Sequence, residues 1–492
     1  MTDRIRVRAT KANVGAIVLG TGVVKVDGIT GPAGVKWNEE PLGQEQFRLR
    51  IDLERPLNVG EEQELVVQLS SRDFILTLNQ QQVSEIGVLG QVRDRSSWSS
   101  HLRWYPIDTV NDAGVDITFV VPEEYTAVTG GRLIGVESRA GKREFHYASD
   151  IRKPRLLPFG FAVARYVSSK AQSSGGLPIE IYGYPGEEKL IEQRLKLAIE
   201  CAELFEKMMG KLPFEAVRVA HVTPVAKEML VSLPGLILLS DAYYDDFAGI
   251  DISNLNPSSR ASMNVIGLAD EMSHQWNAYK IPLPNELAEG VSTFTDALVM
   301  EKRYGAAAYR NYIRYCANSY LNGVITAIDV APADPGIYKT PAYRVIALCK
   351  NAVVLDILRT EVGDDTFFAG WRSVFDNYDT SRDGFDIVQD VFSRTTGADK
   401  QWFFDQWFFQ SGAPNIATDF TIEGDDVAIT RQLQKQQPFR LNSEVAIRGV
   451  NEVIREKVML DGRETRLKVK ATFAVRDVVF DPDDRLLLRR TQ

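Results

Sequence analysis

The chain has 492 residues, and 57 basic against 66 acidic side chains give it a formal net charge of −9. At about 100–200 residues per domain this length indicates roughly three domains, and 44% hydrophobic with 25% charged residues is the composition of a globular protein rather than of a disordered or fibrous one. The acidic balance argues against nucleic acid as a partner, because phosphate binding requires a basic surface.

The first third of the chain has a strand-like pattern. Between residues 5 and 167, alternating or short apolar runs are interrupted by Gly, Pro, Asn and Asp, which is typical of strands joined by turns. A serine-rich stretch over residues 168–176 follows and indicates a linker. We therefore predict an all-β domain over residues 1–175.

The pattern then becomes helical. Apolar residues recur on one helical face at Ile191, Leu195, Ala198, Ala202, Phe205 and Met209. Helical periodicity dominates from residue 259 to residue 410, and short strands return after residue 414. We predict a mainly helical domain over residues 176–412 and a small β-sandwich over residues 413–492, so the fold class is α+β and multidomain.

The N-terminus and the cysteines favour a reducing compartment. Residues 1–6 alternate charged and apolar side chains and lack the apolar segment of a signal peptide. Cys201, Cys316 and Cys349 are far apart and match no metal or redox spacing, so each is expected to serve as a small core residue. Because no apolar run approaches the ~20 residues that span a bilayer, we predict a cytoplasmic protein without a membrane partner.

The most informative residues lie on a helix predicted to begin after Ser259. In the motif H-E-x-x-H, two histidines one turn apart bind zinc, and the glutamate is the general base toward the metal-bound water. Here Asp270 stands at the first position, whereas Glu271 and His274 keep theirs. Glu289 follows on the next predicted helix, where a third ligand would arrive. This segment alone is a weak signal, because E-x-x-H is common by chance.

Four further motifs lie around this helix. They are His274-Gln275-Trp276 with a downstream Glu289-Gly290, Trp104-Tyr105-Pro106 before Asp108, Leu358-Arg359 with Gly363-Asp364 and Phe367-Phe368, and Phe403-Phe404-Asp405-Gln406-Trp407. Their order and spacing resemble those of the gluzincin zinc aminopeptidases, the family of membrane alanyl aminopeptidase and leukotriene hydrolase. The resemblance implies a thermolysin-like catalytic domain. It stops where many members continue into a C-terminal helical lid, so the site is expected to be open unless a partner protein or a second copy of the chain covers it.

The resemblance also implies roles for individual residues. It implies that Glu271 is the general base and that His274 and Glu289 are zinc ligands, while Asp270 stands where the first histidine ligand belongs. The resulting site has Asp270, His274 and Glu289 as its metal ligands. Because like charges in one cavity raise one another's pKa, such a carboxylate-rich site must bind a cation, protonate or stay hydrated.

Two departures from the family pattern concern substrate binding. Ser232 stands at the place of the glutamate that holds the substrate amine. Leu348 stands at the place of the tyrosine that stabilises the tetrahedral intermediate, and such a contact is typically worth ~3–4 kcal/mol. Tyr343 is a possible substitute, and Tyr243 is a further residue expected to line the cleft.

Three functions remain open from the sequence. The principal interpretation is an enzyme whose acid/base chemistry, carried by Glu271, Asp270 and His274, has been repurposed for a small amine-bearing or short peptide-like substrate, such as a natural-product intermediate. An alternative is a catalytically inactive pseudopeptidase that binds or scaffolds a partner. A second alternative is a residual zinc hydrolase. The cofactor is accordingly either none or a divalent metal, with zinc expected.

Overall fold

The structure is a computed structural model. It describes residues 2–22, 24–31, 35–43, 46–71, 90–91, 93–100, 104–107, 115–149, 159–224, 230–247, 259–325, 328–423 and 425–491. Asp108 lies outside the described residues. The chain divides into an N-terminal unit, Met1–Ile199 with Pro213–Asp246, and a C-terminal unit, Glu200–Leu212 with Phe247–Gln492. The limits of the three domains predicted from the sequence stay predictions.

The N-terminal unit is built mainly from β-sheets. Its strands are β1 (Thr2–Arg8), β2 (Val14–Thr21), β3 (Val24–Thr30), β4 (Lys36–Gly43), β5 (Gln46–Leu57), β6 (Glu62–Ser71), β7 (Gly90–Gln91), β8 (Ser97–Ser99), β9 (Val115–Pro122), β10 (Thr126–Thr129), β11 (Arg132–Arg139), β12 (Lys142–Ser149), β13 (Phe161–Ala164), β14 (Val167–Gln172), β15 (Pro178–Gly183), β16 (Val217–Val222), β17 (Leu230–Leu233) and β18 (Leu236–Ser240). The described part of the predicted β-region consists of strands and their connections, so that prediction is confirmed there.

The strands form sheets that pack in pairs. The sheets β1-β6-β3 and β2-β5-β4 contribute side chains to one apolar core, in which Leu49 and Ile51 of β5 are fully buried. Arg50 between them is exposed, because successive residues of a strand point to opposite faces. The sheets β10-β13-β8-β7 and β14-β15-β16-β18-β17 share a second core around Trp98, and the sheet β11-β12-β9 completes the unit.

The predicted linker over residues 168–176 was wrong in its first half. Residues Val167–Gln172 form β14, which pairs antiparallel with β15 so that Val167 lies opposite Gly183. The strand alternates half-buried and exposed residues at the edge of the five-stranded sheet. Polar side chains are common on such edges because they discourage pairing with other chains, and this explains the serine-rich composition.

The hairpin of β17 and β18 contains the predicted substrate contact Ser232. Strands β15, β16 and β18 run parallel, and β17 returns antiparallel beside β18, with Ser232 opposite Ile237. Pro234 and Gly235 form the turn, where Gly235 adopts φ = +72°, a conformation that glycine tolerates at little steric cost.

The helices match the region predicted from periodicity. They are α1 (Glu188–Met209), α2 (Arg260–His274), α3 (Asn285–Tyr304), α4 (Ala306–Gly323), α5 (Asn351–Val362), α6 (Asp364–Asp376), α7 (Gly384–Thr396) and α8 (Gln401–Trp407). Two π-helical segments, Gln275–Lys280 and Val345–Lys350, and two 3-10 turns, Asp241–Tyr243 and Ile337–Lys339, accompany them. The six apolar positions predicted for the face of α1 are each 5% exposed or less, so that helical face is confirmed.

The C-terminal unit ends in two sheets. Their strands are β19 (Asn415–Glu423), β20 (Asp425–Gln432), β21 (Arg440–Arg448), β22 (Val453–Asp461), β23 (Glu464–Lys468), β24 (Asp477–Phe480) and β25 (Arg489–Arg490). They form the sheets β23-β20-β19-β25 and β22-β21-β24. The predicted return to short strands is confirmed, and the fold is mixed α/β with several domains.

Helix α3 lies among the helices of the C-terminal unit. It packs against α2, α4, α5 and the π-helical segment Val345–Lys350. Gly290 permits one of these contacts, since a Cβ atom there would lie 2.3 Å from Cβ of Asn351. In the described part of the chain, we find no helix with both the length and the apolar character that a bilayer crossing requires.

Candidate functional site

Helix α2 brings Asp270 and His274 together. Ser259 caps the helix, and its hydroxyl accepts a hydrogen bond from the amide of Ser262 at 3.2 Å, as the sequence predicted for the helix start. Asp270 and His274 are one turn apart, and Nε2 of His274 lies 3.4 Å from Oδ2 of Asp270. Their side chains are 20% and 15% exposed, so a small ligand can reach both groups. Glu271 is more deeply buried, with 7% exposed.

The π-helical segment after α2 orients the imidazole ring. Nδ1 of His274 donates to Oδ1 of Asn277 at 3.0 Å, and Nδ2 of Asn277 donates to the carbonyl of Ala288 at 3.2 Å and to the hydroxyl of Ser292 at 2.9 Å. Because Nδ1 is held by Asn277, Nε2 faces Asp270. Single π-helical turns are frequent at functional sites.

Helix α3 supplies the opposite side of the site. Glu289, Ser292 and Asp296 are spaced three and four residues apart, so they share one face of the helix. Asp296 is 2% exposed, and its Oδ2 accepts a hydrogen bond from the hydroxyl of Tyr312 at 3.1 Å. Its Oδ1 is buried and has no hydrogen-bond partner among the described residues. Burial and the charge of Asp270 raise the pKa of Asp296 well above its ordinary value, which favours the protonated form of this carboxyl.

Burial and neighbouring charges shift the pKa values of His274 and Glu289, and some of these effects oppose one another. Burial opposes a charge on His274, but the hydrogen bond and charge of Asp270, with the charges of Glu289 and Glu271, raise its pKa from 6.5 to about 10. Burial and the charge of Asp270 raise the pKa of Glu289, while His274 and Arg344 act in the opposite direction. We call Asp270, Glu271, His274, Glu289 and Asp296 the acid cluster. Within it, one imidazolium is the counterion of several carboxyl groups.

Tyr343 lies two residues before the π-helical segment Val345–Lys350, and its predicted role as a substitute for the family's tyrosine stays a prediction. Burial and then the charge of Glu289 raise the pKa of Tyr343 to about 12, so its hydroxyl is protonated at neutral pH. Leu348 lies inside the π-helical segment Val345–Lys350 and has no group that can donate a hydrogen bond. Tyr343, unlike Leu348, has a hydroxyl that can donate a hydrogen bond. Its contact with a substrate stays a prediction.

Asp270 and His274 have a separation that fits a zinc site. The separation of 3.4 Å between Nε2 of His274 and Oδ2 of Asp270 suits two ligands of one tetrahedral ion, because zinc ligands lie ~2.0–2.2 Å from the metal. Across the described ranges, however, no three His, Cys, Asp or Glu side chains are grouped as metal ligands. The residues as arranged do not make the predicted Asp270–His274–Glu289 ligand set, and that assignment stays a prediction.

Ser232 and Tyr243 belong to the N-terminal unit, which is described by itself. Ser232 is 7% exposed. The carbonyl of Tyr243 accepts a hydrogen bond from Arg194 at 2.9 Å. The turn that carries Tyr243 is also held by His221, whose ring nitrogens lie 2.8 Å from Oδ1 of Asp241 and 2.9 Å from Oε2 of Glu187. Both residues therefore lie in well-anchored segments, and their contribution to substrate binding stays a prediction.

Asn277, Asp296 and Arg344 were not predicted from the sequence as residues of the site. Asp296 lies seven residues after Glu289, and this spacing on one helical face was a usable signal. Asn277 lies three residues after His274, but only a π-helical turn directs its side chain back to the imidazole. The charge of Arg344 lowers the pKa of Glu289 from a segment that is distant in the sequence, and no local sequence pattern indicates such an effect.

Comparisons with known proteins support the fold. Neither the family models nor the curated proteins include a match to this chain. Among solved structures, the chain is similar to the crystal structure of Legionella pneumophila aminopeptidase A in complex with aspartic acid, with a TM-score of 0.73 and 15% sequence identity. The similarity covers 100% of this chain and 57% of that chain, so this chain spans little more than half the length of that protein. A likeness at this identity shows a peptidase-like fold, which confirms the coarse part of the resemblance found in the sequence.

Proposed function

We propose that this protein is an enzyme on a peptidase-like scaffold, which binds the ammonium group of a small substrate at the acid cluster and applies acid/base chemistry to it. One observation carries the proposal: Nε2 of His274 lies 3.4 Å from Oδ2 of Asp270, and the charges of Asp270, Glu289 and Glu271 raise the pKa of this imidazole. Carboxylates in excess at a partly buried site favour the binding of a cation, because the cation offsets their mutual repulsion.

The arrangement supports a division of roles. The ammonium group competes with His274 for the carboxylate of Asp270, which is 20% exposed. Competition of this kind weakens the hold on the proton at Nε2, so His274 becomes able to donate it to a leaving group. Glu271 occupies the position of the general base in the motif and accepts a proton from the nucleophile. The hydroxyl of Tyr343 donates a hydrogen bond to the developing oxyanion.

A turnover screen tests the proposal. The protein is incubated with small amino esters, amino amides and amino acid p-nitroanilides, and products are identified by mass spectrometry. We expect product with the wild-type protein, and a loss of about 100-fold or more in Glu271→Gln, because general-base catalysis typically contributes ~10²–10⁴-fold. The matched control is Glu456→Gln, which removes an exposed carboxylate from β22. Equal turnover in Glu271→Gln and the control would contradict the assigned role.

A second candidate function is a pseudopeptidase that binds a partner without catalysis. The observation that favours it is the pairing of both imidazole nitrogens of His274, one with Asn277 and one with Asp270, so the protein itself already engages the groups of this side chain that would act on a substrate. This function predicts a stable partner protein or self-association instead of turnover. Size-exclusion chromatography with light scattering, on protein purified from its native source, separates the two functions.

The residual zinc hydrolase is supported by the ligand-like separation of Asp270 and His274. Elemental analysis of protein purified without chelators tests it, with His274→Ala and Glu289→Ala as paired variants. About one equivalent of a transition metal that both variants lose would establish the predicted ligand set. A wild-type protein without stoichiometric metal would remove this function.

A further inference from the structure

The C-terminal unit contains a cleft between helices α5 and α8 and the sheet β22-β21-β24. Its volume is about 470 Å³, which lies within the ~300–1,000 Å³ of small-molecule sites. Glu361 of α5, Trp402 of α8 and Asp483 of the segment after β24 are among the residues that line it. None of the described residues that line the cleft belongs to the acid cluster, so an inference from it is independent of the proposed function.

One face of the sheet forms a side of the cleft. Arg440 and Asn442 are alternate residues of β21, and the register places Asn442 opposite Met459 of β22. Alternate residues of a strand point to the same face, and directly paired residues of antiparallel strands share that face. All three side chains line the cleft, and Met459 is 49% exposed. The sheet therefore presents a cation and an apolar surface side by side.

The acidic side chains that line the cleft all accept hydrogen bonds from the protein; they are Glu361, Glu444, Asp481 and Asp483. Glu361 accepts from Nζ of Lys400 at 3.3 Å and from Nδ2 of Asn442 at 2.9 Å. Arg455 donates to Glu444 at 2.7 Å and to Asp483 at 2.6 Å. Lys457 lies opposite Glu444 in the register, so charges of both signs are close together at this end of the cleft.

Arg440 is a cation of the cleft that lacks such a partner. Its backbone is fixed by Gln406, which accepts from the amide at 2.8 Å and donates to the carbonyl at 3.0 Å. Its guanidinium carbon lies 4.7 Å from the ring centroid of Trp402. Nε of Arg440 is buried without a hydrogen-bond partner, and no carboxylate of the described residues forms an ion pair with this side chain. Asp461, opposite Arg440 in the register, does not line the cleft.

We propose that the cleft binds a small organic carboxylate, whose carboxylate group pairs with the guanidinium of Arg440 and whose apolar body packs against Trp402 and Met459. A guanidinium in contact with an aromatic ring keeps N–H groups with which it binds both oxygens of a carboxylate in parallel. The acidic side chains of the cleft do not compete for Arg440, because each is held by other groups of the protein. The apolar surface beside Arg440 favours a ligand with a hydrocarbon or aromatic body over a bare anion.

Calorimetric titrations of the full-length protein test the inference with three probes. Phenylacetate has both the carboxylate and the apolar body, 2-phenylethanol has only the body, and acetate has only the carboxylate. We expect phenylacetate to bind, and each of the other two to bind about 10-fold or more weakly, because each lacks one of the two contacts. Equal affinities for phenylacetate and 2-phenylethanol would overturn the inference, since the cleft would then not recognise the anion.

Variants assign the binding to this cleft. Arg440→Gln is expected to weaken phenylacetate binding by about 10-fold or more. Met459→Ser, which changes a half-exposed side chain, is expected to weaken it by about 3-fold through the lost apolar contact and tests the same cleft if Arg440→Gln does not fold. The matched control is Arg466→Gln, which removes an exposed arginine of β23 that does not line the cleft. The inference is overturned if Arg440→Gln or Met459→Ser binds phenylacetate as tightly as the control does.

Discussion

At His274, burial and charge act in opposite directions, and charge prevails. Burial disfavours the imidazolium, yet the hydrogen bond and charge of Asp270, with Glu289 and Glu271, raise the pKa to about 10. We therefore expect the imidazole carbon-bound proton signal of His274 to stay unchanged between pH 5 and about pH 9 in an NMR titration. In Asp270→Asn we expect the pKa to fall by about 2 units or more.

The matched control for this titration is Asp116→Asn. It removes the carboxylate 2.8 Å from Nε2 of the exposed His146 and is expected to leave the pKa of His274 unchanged. The same shift affects stability: because the pKa of His274 is higher in the folded state, its contribution is fully present below the unfolded-state value of ~6.5 and is lost as the pH rises through about 10. A His274 signal that titrates near pH 6.5 in the wild type would contradict the ion pair.

The ionisation of Asp296 changes stability in the same direction as that of His274, because both groups have a raised folded-state pKa. The folded-state pKa of Asp296 is raised above the unfolded-state value of ~3.9, so the folded protein loses stability as the pH rises above that value. Asp296→Asn removes the ionisation and keeps the acceptor for Tyr312. We expect the free energy of unfolding of the variant, relative to the wild type, to increase by about 1 kcal/mol or more between pH 4 and pH 8, as measured by urea denaturation.

Its control is Asp365→Asn, which neutralises an exposed carboxylate at the start of α6. For this variant the difference from the wild type is expected to stay within about 0.5 kcal/mol at both pH values. A pH-independent effect of Asp296→Asn would mean that the carboxyl is already ionised in the folded state.

Among the elements, the regular helices and strands could be predicted from the sequence, whereas the π-helical segments and the edge strand β14 could not. Apolar residues at helical spacing predicted the buried face of α1, and Ser259 predicted the start of α2, because both signals are local. The two π-helical segments were not predicted, since such a segment depends on tertiary packing rather than on a residue pattern. Residues 168–172 were mistaken for a linker because an edge strand with polar side chains has the same composition.

A substitution of Gly290 tests whether α3 and α5 need to pack as closely as the structure shows. A Cβ atom there would lie 2.3 Å from Cβ of Asn351 and 3.2 Å from the carbonyl oxygen of Ala347. Gly290→Ala therefore forces the helices apart, and we expect the free energy of unfolding to fall by about 1–3 kcal/mol in urea denaturation. The matched control is Gly135→Ala on β11, where a Cβ atom meets nothing within 4 Å. Equal stability of the two variants would show that α3 and α5 separate easily.

A substitution of Asn277 tests the hydrogen bonds that join the π-helical segment to α3. Asn277→Ala removes the hydrogen bonds to the carbonyl of Ala288 and to the hydroxyl of Ser292. Leaving these buried groups without their partner costs about 1–3 kcal/mol, and we expect faster hydrogen exchange over residues 275–284. Thr465→Ala is the matched control, because it removes an exposed side-chain hydrogen bond on β23. Unchanged exchange in Asn277→Ala would mean that packing alone holds the segment.

At the scale of the whole molecule, the order of motifs along the chain was enough to predict a peptidase-like fold. The positions of Asp270, Glu271 and His274 on one helix also followed from spacing. The effect of Arg344 on Glu289 did not, because the two residues lie on segments that are distant in the sequence. Ser232 and Tyr243 lie in a different unit from the acid cluster, and their predicted contacts with a substrate stay predictions.

The most direct test of the account is a calorimetric titration of the reduced full-length protein with n-butylammonium chloride and, separately, with n-butanol. We predict that the amine binds and the alcohol does not, that the affinity falls with added salt, and that Glu289→Gln weakens binding by about 5–10-fold while Glu456→Gln does not. Equal heats for amine and alcohol, or equal affinities in the two variants, would contradict the claim that the acid cluster is a cation-binding site.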